Sequence, residues 1–268
     1  MSLRGLWHRT TARLRGDRDA VRVETMFGTA IISERDWTGG RIRLLSVDTT
    51  MQSATYLGED TWCDPPFMYL RLYDRLFDAL PDARNLLMLG GGGFAYPKHI
   101  VAHRPQARID VVEVDPAMTR IAYEHFFLDR LMSTYHTEES GRLRIYHTDG
   151  LTYLQTCQRK DKRYDAILND CFELQQMAPS LMASDALRTV RDCLVPGGLH
   201  LVNIITALQG ELARPLYQLV ANLSGVFAHV YAIPCYREPA DQRDNVMVIA
   251  SQRALDLADA LTLYEGMA

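Results

Sequence analysis

The rhythm of apolar and polar positions changes near residue 82 of this 268-residue chain. Before that point, alternation with a period of two dominates. Residues 21–25 alternate, residues 29–32 are short and β-branched, and residues 41–47 and 52–57 follow. This predicts a small antiparallel unit. Trp37-Thr38-Gly39-Gly40 supplies a hairpin turn within it. Phe67, Leu70, Tyr73, Leu76, Phe77 and Leu80 then fall at helical spacing and predict one helix over residues 66–80.

After residue 82 the pattern becomes strand, turn, helix, repeated. Residues 86–89 form a charge-free run, as a strand buried on both faces requires. Gly90-Gly91-Gly92-Gly93 ends it, and Pro97 falls where a first helical turn tolerates a missing N–H. Further strands are expected at residues 109–114, 143–147, 166–168 and 198–204. Pro116 opens one helix, and Pro196-Gly197-Gly198 feeds the last of these strands. Residues 226–233 and 245–250 suggest a closing antiparallel pair. The expectation is an α/β protein. Residues 1–81 form a small N-terminal antiparallel β domain with a linking helix. Residues 82–268 form a Rossmann-like parallel sheet with helices on both faces.

Composition narrows the function. Hydrophobic residues make up 47% and charged residues 23%, an ordinary globular balance. The net charge of −4 gives no electrostatic reason to expect nucleic acid or an anionic membrane as partner. No run approaches a membrane span, and no signal-like stretch opens the chain. The five cysteines are scattered and suit a reducing cytoplasm. Arg4, Arg9, Arg13, Arg15 and Arg18 make a basic start that is expected to be solvated.

The candidate chemistry sits at strand ends. Consecutive glycines at 90–93 let backbone approach a ligand, and the next helix aims its free N–H groups at it. Glu113 ends the following strand about 20 residues later, the spacing at which a carboxylate grips ribose hydroxyls. His147-Thr148-Asp149-Gly150 places a carboxylate where an adenine amino group would lie. Asp170 and Glu173 follow the fourth strand, at the edge where open α/β sheets bind ligands. His99 and His103 have a metal-binding spacing, but with no third ligand evident no metal is expected. Asn203 suits a pocket polar group or a turn equally.

These blocks, with Gln52-Ser53-Ala54 before them and Leu194-Val195-Pro196-Gly197-Gly198 after, resemble the spermidine synthase-like proteins over roughly residues 40–250. The resemblance implies a seven-stranded methyltransferase-type sheet, usually a homodimer, and binding of S-adenosylmethionine, its decarboxylated form or methylthioadenosine, the first two as co-substrate. Gln52, Gly90, Gly91, Gly92, Gly93, Glu113, Val114, Asp149, Gly150 and Asp170 would then hold the nucleoside. Tyr69 and Glu173 would meet a small amine acceptor, with Glu173 as base and Asp170 orienting the acceptor. Polyamine synthases have an aspartate where this chain has Gly93, and a Tyr-His-Glu motif where it has Tyr69-Leu70-Arg71. Their aspartate base is here a glutamate. Aminopropyl transfer is the first expectation. Methyl transfer is the alternative, because the amides of Gly92 and Gly93 could receive the carboxylate of intact S-adenosylmethionine. A catalytically idle nucleoside-binding homologue is the third reading. Residues 177–181 are expected to form a loop closing over the acceptor.

Overall fold

A computed structural model describes residues 20–48, 50–173 and 176–265, without the side chains of Glu173 and Gln176. The basic segment carrying Arg4 to Arg18 lies outside the described residues. Four antiparallel strands come first: β1 (Val21–Thr25), β2 (Gly28–Trp37), β3 (Gly40–Val47) and β4 (Thr50–Tyr56). The expected hairpin turn joins β2 to β3, with Trp37 opposite Gly40.

The single helix expected over residues 66–80 is two short helices, α1 (Met68–Leu72) and α2 (Arg75–Ala79). The apolar spacing is genuine, since Leu70, Tyr73, Leu76 and Phe77 are all buried. The break comes at Tyr73 and Asp74, where tight three-residue backbone bonds replace the α pattern. Both side chains there are held from outside the helix. The Tyr73 hydroxyl donates to the Asn169 carbonyl, and Asp74 accepts from Tyr96.

The main sheet contains β5 (Asn85–Leu89), β6 (Arg108–Val112), β7 (Leu143–Tyr146), β8 (Tyr164–Asn169), β11 (Leu194–Thr206), β12 (His229–Pro234), β13 (Asp244–Ser251) and β14 (Leu261–Glu265). Its order is β14-β12-β13-β11-β8-β5-β6-β7. Strands β7, β6, β5, β8 and β11 are parallel, and β13, β12 and β14 close the sheet antiparallel. The sheet is of the methyltransferase type, as expected, with β14 as an eighth, edge strand. Helices α3 (Ala95–His103), α4 (Pro116–His125), α5 (Leu128–Tyr135), α6 (Thr137–Ser140), α7 (Gly150–Arg159), α9 (Ser184–Asp192) and α10 (Arg214–Ser224) connect the strands. Between β8 and β11 lie a two-residue strand pair, β9 (Phe172–Glu173) with β10 (Gln176–Met177), and the turn-length α8 (Pro179–Met182). Met177, Ala178 and Leu181 are buried there, while Pro179 and Ser180 are exposed, so the segment expected to close over the acceptor is partly helical and anchored at both ends.

The two sheets share packing. One apolar cluster runs from Ile42, Ala54 and Tyr56 into Leu86, Ile100 and Val111. A smaller one joins Ile32, Leu45 and Val47 to Met118, Ile121 and Phe126. Lys98, on α3, is 1% exposed and fastens the junction. Its Nζ donates to the Thr55 hydroxyl at 2.8 Å, the Trp62 carbonyl at 3.1 Å and the Phe126 carbonyl at 2.8 Å. Those three bonds use every proton an ammonium has.

Candidate active site

Parallel register brings four strand ends to one edge. Leu89 pairs with Val112 of β6 and with Asn169 of β8, and Asn169 pairs with Val202 of β11. One residue further on stand Glu113, Gly90, Asp170 and Asn203, side by side. The ladder continues through them: the Gly90 amide donates to Val112, and the Asp170 amide to Leu89, both at 2.9 Å.

Gly90 permits this closeness. Its φ is +90°, and a Cβ there would stand 2.7 Å from the carbonyl oxygen of Asp170. The amides of Gly91 and Gly92 then donate to Glu113 Oε2 at 2.9 and 3.0 Å, while the Asp115 amide donates to Oε1 at 3.0 Å. Glu113 is 6% exposed, so three backbone donors replace its lost water. The Gly92 amide, expected to await a ligand carboxylate, is already engaged by this side chain. At Gly93 a Cβ would lie 2.6 Å from Ser53 Oγ and 2.9 Å from Ser53 Cβ. Strand β4 therefore occupies the space an acid at this position would need. Phe94, buried and left-handed with φ 56°, opens α3 without a side-chain cap.

Asp170 is held differently. Asn203 Nδ2 donates to its Oδ1 at 2.9 Å, and the Tyr69 hydroxyl donates to Oδ2 at 3.4 Å. Burial raises its pKa to about 7 against the pull of these two donors. Burial, reinforced by Asp170, also pushes the Tyr69 and Tyr73 phenols well above their usual range. Asn203 Oδ1 is buried and has no hydrogen-bond partner among the described residues. It is an acceptor beside a carboxylate, an arrangement suited to a ligand with several N–H donors. Asn203 was ambiguous in sequence, and Tyr73 gave only a core signal.

The remaining candidates have structural duties as well. The β3–β4 register slips by one residue, pairing Leu45 with Ser53 and Ser46 with Met51, which leaves Gln52 in a bulge. Bulges commonly re-aim side chains at sites. Asp149 caps α7, accepting from the Thr152 amide at 2.9 Å. A Cβ at Gly150 would meet Leu181 at ordinary contact distance, and Val114 is 38% exposed. The backbone of Glu173 lies in β9, but its side chain lies outside the described residues. A cavity of about 250 Å³ adjoins Tyr69. Trp37, Tyr56 and Phe67 form part of its wall, and Asp244, raised in pKa by burial, contributes a carboxylate. A second cavity of about 430 Å³, by Arg163, Arg191 and Gln252, shares no lining residue with this group.

The spermine/spermidine synthase domain family matches residues 77–240, more than half of the chain. The chain belongs to that family. Curated relatives of two kinds resemble it. An eEF1A lysine and N-terminal methyltransferase homolog of Drosophila pseudoobscura pseudoobscura is 28% identical over 153 residues, covering 55% of this chain and 21% of the relative. A polyamine aminopropyltransferase of Vibrio vulnificus is 26% identical over 138 residues, covering 52% and 42%. The chain thus spans less than half the length of either relative. Among solved structures, a probable spermidine synthase from Corynebacterium glutamicum superposes with a TM-score of 0.71 at 20% identity. That match covers 88% of this chain and 81% of the other, and it confirms the Rossmann-like fold with its small N-terminal sheet. No helix among the described residues is long and apolar enough to cross a membrane.

Proposed function

We propose that this chain is a transferase that binds an S-adenosyl ligand across the strand-end row and moves an alkyl group from its sulfonium to a small amine. The observation that carries this is the row itself: Glu113 and Asp170 flank the glycine turn within one hydrogen-bonded ladder. In this reading Glu113 accepts from the ribose hydroxyls and Asp149 meets the adenine. Gln52, Gly150 and Val114 line the nucleoside. The neutral amine attacks the carbon attached to sulfur. A C–N bond forms, the C–S bond breaks with its electron pair going to sulfur, and a thioether leaves. The amine's surplus proton passes to a carboxylate. Asp170, with a pKa near 7, suits that step at neutral pH, and Glu173 is the second candidate. Positioning supplies most of the acceleration, because the sulfonium is already electrophilic. The aromatic cavity beside Tyr69, whose lining holds both Asp244 and Arg71, is the chamber this reading assigns to the acceptor.

Aminopropyl transfer from decarboxylated S-adenosylmethionine, within polyamine biosynthesis, is the first form of this proposal. Methyl transfer from the intact donor is the second, favoured by the Ser53 contact that leaves no acid at position 93. Calorimetric titration with both donors, paired with mass spectrometry of a panel of amines, separates them. Tighter binding of the decarboxylated donor and a product heavier by an aminopropyl group support the first. Tighter binding of the intact donor and a methylated product support the second. Binding without turnover indicates an idle homologue, and absence of adenosyl binding overturns the proposal. The same reading places the protein in the cytoplasm as a homodimer, whose mass sedimentation equilibrium would measure.

A further inference from the structure

Helix α3 begins at the glycine turn, but its far half carries a second group of polar side chains unrelated to the strand-end row. His99 and His103 stand one turn apart with ring centroids 4.6 Å from each other. Sequence spacing shows this pair but no third ligand. The fold supplies one. Asp64, in the connection between β4 and α1, places Oδ1 2.9 Å from His103 Nε2 and 3.9 Å from His99 Nδ1. One donor atom from each of the three residues falls within a 4.8 Å span. Donors around a tetrahedral zinc ion at about 2.1 Å stand roughly 3.4 Å apart, so small side-chain rotations would close the set.

A fourth residue fixes the chemistry of the first. His99 Nε2 lies 3.0 Å from Asp74 Oδ2. A carboxylate accepts, so the ring proton sits on Nε2 and the lone pair on Nδ1. That Nδ1 is buried and has no hydrogen-bond partner among the described residues. A ligating histidine oriented by a carboxylate on its other nitrogen is the usual support of a bound transition metal. His103 is exposed and Asp64 is partly so, which leaves an approach from solvent.

We propose that His99, His103 and Asp64 form a binding site for one divalent transition-metal ion, zinc in the first instance, with Asp74 as the positioning residue. The ion would clamp the β4–α1 connection onto α3. It would also steady the α1–α2 break, where Tyr73 reaches the Asn169 carbonyl. The proposal does not depend on which group the strand-end site transfers.

The test uses the full chain, produced without a histidine tag and stripped with chelator, and titrated with zinc chloride in a calorimeter. One ion per chain is expected, with a raised melting temperature. Cobalt chloride should give the visible absorption band of a low-coordinate site. His103→Asn, at an exposed position, should remove both signals, and Asp64→Asn likewise. Asp74→Asn, which touches no ion, should weaken binding by about ten- to a hundredfold. His136→Asn, at an exposed histidine elsewhere on the surface, should change nothing. Absence of stoichiometric binding overturns the proposal. So does binding that His103→Asn and Asp64→Asn leave intact.

Discussion

Two carboxylates, Glu113 buried and Asp170 half-buried, end neighbouring stretches of the same sheet edge, and they are solvated in opposite ways. Glu113 receives three backbone N–H groups, from Gly91, Gly92 and Asp115. Asp170 receives one amide N–H from Asn203 and one long contact from Tyr69. The first is fixed by main chain that cannot move away. The second is held by side chains too few to offset its burial, and its pKa rises to about 7. Backbone donors build a binding group, whereas an under-solvated carboxylate is one ready to take a proton.

The sharpest way to break this contrast is Asp170→Asn. If Asp170 accepts the amine's proton, transfer should fall by about a hundred- to ten-thousandfold while donor affinity is retained. Measuring turnover and donor binding on one sample would show it, and loss of both together would remove the distinction between the two acids. Glu113→Ala should do the reverse. It should abolish adenosyl binding and, by stranding three N–H groups, cost about 1–3 kcal/mol in urea unfolding.

Packing around the glycine turn gives the next effect. Gly93→Ala should destabilise the protein by about 1–3 kcal/mol, because its methyl meets Ser53. Adding Ser53→Gly should recover part of that loss. No recovery would mean that β4 is not what excludes a side chain there.

Acidity provides a gentler probe. Turnover should rise with pH through about 7 as Asp170 ionises, and Asp170→Asn should flatten the profile. Stability moves the other way. A carboxyl raised in the folded state binds more protons there than when unfolded. Its favourable contribution is complete below the unfolded pKa of about 4 and is lost as pH climbs through about 7. The wild type should therefore lose ground to Asp170→Asn in melting temperature over that interval. Tyr69→Phe, which removes only a 3.4 Å contact, should change turnover least, by a few-fold.

The strand-end row was legible in the sequence because its signals are local. A glycine run, an acid after an apolar strand and an Asp-Gly after another each announce a strand end, and parallel register does the rest. The surroundings of Asp170 were legible only in part: Tyr69 and Asp170 stood out, but the duties of Asn203 and Tyr73 did not. Whether Tyr73 serves as core or as a strut to Asn169 depends on a segment nearly a hundred residues away. The split between α1 and α2 has the same origin. Periodicity counted buried positions correctly, but it could not register that Tyr73 and Asp74 are drawn toward β8 and α3. Ser53 belonged to a recognised block, yet its contact with Gly93 follows only from how β4 lies on the turn. The bulge at Gln52 was equally hidden, since a one-residue slip leaves no mark on composition. Helices α5 and α6 were missed outright, their short amphipathic turns being too brief for a periodic signal.

The buried amine of Lys98 has a consequence for how the molecule comes apart. Its three acceptors belong to β4, to the connection after it, and to the turn before α5. Peeling the N-terminal sheet away would strip that amine of its Thr55 acceptor and leave it with two carbonyls beside the rings of Trp62 and Phe127. Partial opening is thus penalised relative to complete opening. Amide exchange in β4, α3 and the segment around Phe126 should accordingly share one opening free energy, so that two structural layers melt as one cooperative body.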